Sequence, residues 1–203
     1  MRALTRTSPA LMRWPQLRRL AAGALFSVLI SGVTVAPASA QSLESRLRAS
    51  FLYNFTLFVE WPAGAFVSAT DALVIAIVGR DPFEGNLERL LDGKKVAGHS
   101  IKVVSISLTD QKDLARVRAH LLFVARSEGR SAGSLVEQIR TSPILTVSDI
   151  PEFAHLGGMI EFFEEEGTLR FEINQRSAEQ AGLKLSSRLL SLARITPSTI
   201  RSP

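Results

Sequence analysis

The groups in this chain whose types can support chemistry are three histidines, a serine pair, a run of three glutamates and an Asp-Pro turn. None stands at a spacing that chemistry requires. His99, His120 and His155 are far apart in sequence and none belongs to an HExxH or other metal-ligand pattern, so each reads as a structural histidine. Ser186-Ser187 lies outside a G-x-S-x-G elbow and reads as a helix cap. Glu164, Glu165 and Glu166 are consecutive, so their carboxylates diverge and lack the alternating ligands of a calcium loop; they read as a solvated turn. With no cysteine there is no thiolate nucleophile, disulfide or thiol switch. The residues thus offer no catalytic set, no metal set and no cofactor motif.

Asp81-Pro82-Phe83-Glu84 admits two readings. Gly79 and Gly85 fit neither the dinucleotide fingerprint nor the P-loop. A helix start accounts for the segment, with Asp81 as N-cap, Pro82 at the first helical position and Glu84 in the capping-box position. The alternative is a ligand loop at the carboxyl end of a parallel strand, where open α/β sheets bind small molecules. Such a pocket would gather Asn54, Arg80, Asp81, Ser148 and Asp149.

The elements that must position these groups alternate. Residues 42–60 place Leu43, Leu47, Phe51, Phe55 and Phe58 three and four apart, which predicts an amphipathic helix capped by Ser42 and ended by Pro62. Asn54 falls on that apolar stripe and reads as a buried amide bonded to backbone, with a ligand contact as the other reading. The apolar run at 72–78 predicts a strand buried on both faces. Helices follow near 83–91, 111–118 and 132–140, alternating with strands at 101–106, 121–124 and 144–147. This order predicts a single three-layer α/β domain with a largely parallel sheet.

A hairpin at 159–174 breaks the alternation. Pairing Phe163 with Thr168 around a loop of residues 164–167 sets Phe162 against Leu169, Ile160 against Phe171 and Glu161 against Arg170. Ile160, Phe162, Leu169, Phe171 and Ile173 then face the core. Met159, Glu161, Phe163, Arg170 and Glu172 face away, an aromatic among charges, and read as a partner-binding surface, with coverage by a helix as the plainer reading. Beyond it, Asn174 and Ser186 are expected to cap two short helices, and residues 196–203 to form a frayed tail.

The first 40 residues hold five arginines and no acid, an apolar run at 20–35 and Ala38-Ser39-Ala40. That is the pattern of a cleaved export signal, cut after Ala40, and it leaves residues 41–195 for the domain. Of 24 Lys and Arg, 19 remain to balance 19 Asp and Glu, so the exported chain is formally neutral and a nucleic-acid partner is not expected.

Six blocks, taken together, resemble the YfiR family: YNFTLFVEWP at 53–62, IVGRDPF at 77–83, PILTVSD at 143–149, GGMIEF at 157–162, LRFEIN at 169–174 and LKLSSRLLSLA at 183–193. The resemblance implies a non-enzymatic periplasmic regulator that forms a homodimer and acts on the periplasmic part of an inner-membrane signalling protein. In the best-known arrangement that partner is a YfiN-like diguanylate cyclase held inactive, which lowers cyclic di-GMP and biofilm formation. Related domains look like sensory modules of histidine kinases, so a small-molecule sensor acting on a kinase is the alternative, and an uncharacterised periplasmic enzyme a further one. The family's namesake uses cysteines in disulfides, whereas this chain has none, so its input is not thiol oxidation.

Overall fold

A computed structural model of the chain describes residues 38–107 and 117–196, and only the backbone of residues 38–42. The expected leader up to residue 37, all but the end of the helix expected near 111–118, and the tail from 197 lie outside the described residues.

Helix α1 (Ala38–Leu57) starts before Ser42, which therefore lies within the helix and does not cap it. Its buried positions are Ser45, Ala49, Leu52, Phe55 and Thr56, while Leu43, Leu47 and Asn54 are exposed. The buried stripe is thus rotated from the one expected. Small residues let the helix approach the sheet closely, and their hydroxyls need no water: Ser45 Oγ accepts from Asn86 Nδ2 at 2.7 Å, and Thr56 Oγ1 donates to the Tyr53 carbonyl at 2.7 Å. The helix stops at Leu57 because β1 (Val59–Glu60) pairs antiparallel with β9 (Lys184–Leu185), Val59 opposite Leu185 and Glu60 opposite Lys184. A long-range ladder ends it before Pro62 can.

The main sheet contains β2 (Leu73–Val78), β3 (Lys95–Val96), β4 (His99–Ile106), β5 (Leu121–Val124), β6 (Leu145–Ser148), β7 (Ile160–Glu165), β8 (Thr168–Ile173) and β10 (Arg194–Ile195). Its order is β10-β8-β7-β6-β5-β2-β4-β3, and β4, β2, β5, β6 and β7 run parallel. Helices α2 (Asn86–Leu91), α3 (Ala132–Ile139), α4 (Gln175–Gln180) and α5 (Ser187–Leu190), with a short 3-10 turn at Arg126–Glu128, complete the described elements.

Side chains alternate across a strand, so each central strand feeds two layers. Ile75, Ile77, Leu121 and Phe123 pack with Leu52 and Phe55 of α1 and with Leu87 and Leu91 of α2. Ala76, Val78, Leu122 and Val124 pack on the other face with Leu135, Val136 and Ile139 of α3. Full burial of each large apolar side chain contributes about 1.5–3 kcal/mol, which explains how the domain dispenses with disulfides.

Two local expectations are corrected. Asp81 makes a short Asx turn, its Oδ1 accepting from Phe83 N at 2.7 Å, and α2 begins only at Asn86 behind Gly85, whose φ of 73° occupies the cap position. The hairpin register differs by two residues: Phe163 faces Arg170, Phe162 faces Phe171, Ile160 faces Ile173 and Glu161 faces Glu172. Glu166 (φ 52°) and Gly167 (φ 72°) both take left-handed backbone and form a two-residue turn of the kind hairpins favour. The strain at Glu166 gains two further ladder pairs over the four-residue loop. A shift of two preserves each residue's face, so the inner apolar face survives the correction while the cross-strand partners change. Asn174 and Ser186 do cap their helices, accepting from Ser177 N and Leu189 N.

Candidate functional site

The outer face of the β7–β8 hairpin carries the expected partner-binding residues, and it divides in two. At its base three are buried: Met159, expected to face away, packs in the core with Phe55, Ile160 and Phe162, while Glu161 and Glu172 lie beneath residues 150–158 and the segment leading out of β10. At its tip Phe163 is half-buried and Arg170 exposed. Only the tip presents side chains to solvent.

The base solves an electrostatic problem set by the register. Glu161 and Glu172 lie directly opposite, and like charges so placed repel. Each carboxylate has its own donors. Glu161 accepts from Glu152 N at 3.0 Å with one oxygen and from Ala154 N at 3.1 Å with the other. Glu172 accepts from Thr196 Oγ1 at 2.7 Å, and His155 Nε2 lies 3.4 Å from the same oxygen. The covering segment bends tightly to bring these donors to the carboxylates. Glu152 and Gly157 have φ of 65° and 100°, and a Cβ on Gly158 would fall 2.2 Å from the Phe153 ring. Asn174 Nδ2 also holds the Ala154 carbonyl at 2.8 Å.

The tip is a cluster around one aromatic. The Arg194 guanidinium lies 4.2 Å from the centroid of the Phe163 ring, a cation–π arrangement. Glu165 bridges two arginines, meeting Arg170 Nε at 2.9 Å with one oxygen and Arg194 Nη2 with the other. All three charged side chains remain between 41 and 56% exposed. This is a paired surface of both signs around an aromatic, the composition found at protein interfaces. Arg194 had no signal in the sequence, since only the parallel pairing of β10 with β8 brings it to the hairpin.

The five expected pocket residues differ in their surroundings. Ser148 is fully buried and saturated, its Oγ donating to the Val124 carbonyl at 2.6 Å and accepting from Ile150 N at 3.0 Å. Asp149 pairs with Arg48 Nη1 at 2.7 Å, and Arg126 Nη2 donates to its carbonyl at 2.9 Å. Asp149 Oδ1 and Arg48 Nε are buried without a protein hydrogen-bond partner. Arg80 is exposed with its N–H donating to Ser127 Oγ at 2.9 Å, Asp81 caps its own turn, and Asn54 is exposed on α1. Beside them the carboxyl ends of β2 and β5 are closed against each other: Gly79 (φ 90°) passes so near that a Cβ would fall 2.4 Å from Ser127 Oγ. An open cleft of about 560 Å³ lined by Arg46, Glu84, Asn86, Arg89 and Leu90 involves none of the five.

His99 and His120 sit at the amino ends of β4 and β5, stacked on either side of Phe66. Among the described residues no three His, Asp or Glu side chains converge as a metal site, and no helix is long and apolar enough to cross a membrane.

A family profile described as YfiR/HmsC-like matches residues 45–194. No curated protein matches the chain. Among solved structures, a conserved domain protein from Vibrio cholerae O1 biovar El Tor str. N16961 is similar with a TM-score of 0.48 and 13% identity, over 75% of this chain and 60% of that one.

Proposed function

The chain belongs to the YfiR/HmsC-like family of periplasmic regulators in cyclic di-GMP signalling, and from that premise we propose that it binds the periplasmic part of an inner-membrane diguanylate cyclase and holds it inactive. The chain is exported, loses residues 1–40 by cleavage after Ala40, and works as a homodimer without catalysing a reaction. The contact surface is the hairpin tip, Phe163 and Arg170 with Glu165 and Arg194 beside them.

The observation that carries this reading is the division of the hairpin. Its inner face and outer base are committed to the fold, whereas the tip keeps an aromatic among accessible charges. Interfaces draw much of their energy from such anchors, with a polar rim fixing register. Glu161 and Glu172 act from beneath, by holding residues 150–158 and Thr196 against the base of the hairpin, and Met159 by anchoring that base in the core.

Two measurements test the reading. Deleting the gene raises cyclic di-GMP if the protein represses a cyclase; an unchanged or lower level overturns repression. In a pull-down with the cyclase's periplasmic part, folded Phe163→Ala and Arg170→Glu proteins lose partner, and full retention by both removes the tip from the interface.

A further inference from the structure

Residues 62–72 form a loop held against the amino ends of the parallel strands by two imidazoles. Phe66 stacks on His99 with centroids 3.9 Å apart and planes 11° apart, and on His120 at 4.2 Å and 17°. Trp61 meets Phe66 and His120 edge-on at 6.4 and 6.3 Å, and its Nε1 donates to the His120 carbonyl at 3.2 Å. The loop itself is closed by Asp71, which accepts from Val67 N, Ser68 N and Ser68 Oγ.

The two histidines differ in what a proton would do. His99 Nδ1 lies 2.7 Å from the Asp71 carbonyl, to which it donates; both a neutral ring and a cation can make that bond. His120 has no such freedom. Its Nδ1 accepts from Val74 N at 3.1 Å, and its Nε2 lies 3.1 Å from the Ala65 carbonyl, to which it must donate. Together these contacts admit only the neutral ring with its proton on Nε2. A second proton on Nδ1 would face the Val74 N–H, donor against donor.

The charged surroundings reinforce this. Burial pushes His120 below its ordinary value of 6.5, against the favourable hydrogen bond to Ala65; His99 across Phe66 adds to the lowering and the Asp71 carboxylate opposes it. Asp71 is itself held below its ordinary 3.8 by its side-chain bond to Ser68, with Arg118 contributing, so it remains charged while histidines titrate.

We propose that residues 62–72 are an acid-released latch: a solvent proton binding Nδ1 of His120 expels the Val74 N–H of β2, and the ring, still donating to the Ala65 carbonyl, swings away from β2 and carries the loop off the amino ends of the strands, uncovering Trp61 and Phe66. Val67, already 72% exposed at the loop's crest, extends the apolar surface so revealed. The latch lies away from the hairpin tip and stands whatever partner the tip binds.

Amide hydrogen exchange on the full chain tests it, with rates corrected for the intrinsic effect of pH, between about pH 8 and about pH 5, where histidines titrate. Protection of Val74 and of residues 65–71 falls on acidification in the native protein. In His120→Gln, which retains a donor toward Ala65 but takes up no proton, protection is the same at both ends. Unchanged protection in the native protein, or the same acid loss in His120→Gln, overturns the latch. Should His120→Gln fail to fold, NMR titration of the native protein decides: the His120 ring and the Val74 amide shift with one midpoint, and separate midpoints overturn the proposal.

Discussion

Two surface segments are clamped to this sheet by side chains that bond to backbone, and the clamps are of opposite kinds. Residues 150–158 are held by the Glu161 carboxylate, which accepts two backbone N–H groups and donates nothing. Residues 62–72 are tied to β2 through the His120 ring, which donates to the Ala65 carbonyl of the loop and accepts from the Val74 N–H of the strand. An acceptor-only clamp suits a segment that stays shut over the base of the hairpin. The accepting half of a donor–acceptor clamp depends on one proton being absent, so the tie to the strand can open. Fixed scaffold and responsive surface are therefore built here from the same bond type, distinguished by the chemistry of the clamping group.

The largest break in this contrast comes from the support shared by the hairpin and α1. Phe51, Phe55, Phe162 and Phe171 form one aromatic cluster with centroids 5.1–6.0 Å apart, and Phe55 is fully buried. Phe55→Ala is expected to lower unfolding free energy by about 3–5 kcal/mol, read from a shifted denaturant midpoint. A loss under about 1 kcal/mol would mean the inner face is not the hairpin's foundation.

The glutamate clamp is next. Glu161→Gln replaces one acceptor oxygen by an NH₂ facing an N–H, and is expected to cost about 1–3 kcal/mol. Faster exchange of the Glu152 and Ala154 amides locates the damage, and unchanged exchange would show that residues 150–158 hold themselves.

The histidine clamp is probed through pH. Because folding lowers His120 below 6.5, the unfolded chain takes up the proton more readily. Its contribution is therefore complete above about 6.5 and is lost as pH falls through the folded-state value. A denaturant midpoint that declines on mild acidification in the native protein but not in His120→Gln is the expected result. Equal declines would assign the effect to other groups.

The smallest stability effect is expected at the tip. Arg194→Ala removes an exposed cation–π contact and an exposed ion pair, together worth about 1 kcal/mol or less. Its larger consequence is in partner binding, where an uncapped Phe163 changes affinity; unaltered binding by a stable Arg194→Ala protein would separate this cap from the interface.

Much of the fold was legible because it rests on local patterns. The apolar runs at 73–78 and 121–124 are strands buried on both faces, and Asn174 and Ser186 cap helices as their types suggest. The rotated stripe of α1 was not legible, since Ser45 and Thr56 look polar until Asn86 and the Tyr53 carbonyl are found to satisfy them. The hairpin's faces were readable and its pairing was not: period two fixes which side a residue faces, but Glu166 adopting left-handed backbone has no signature in its type. Likewise His120 reads as an isolated histidine, because Ala65, Phe66 and Val74 reach it only through the loop and the neighbouring strand.

The order of residues was enough to set the alternation of elements, the core face of each strand and the absence of thiol chemistry, because hydrophobic periodicity and residue type are local quantities. Long-range packing decided that Glu161 and Glu172 are buried with donors, that Arg194 covers Phe163, and that His120 must be neutral. Those outcomes depend on which backbone groups a polar side chain meets across the fold, and burial makes each such meeting costly to leave unmade.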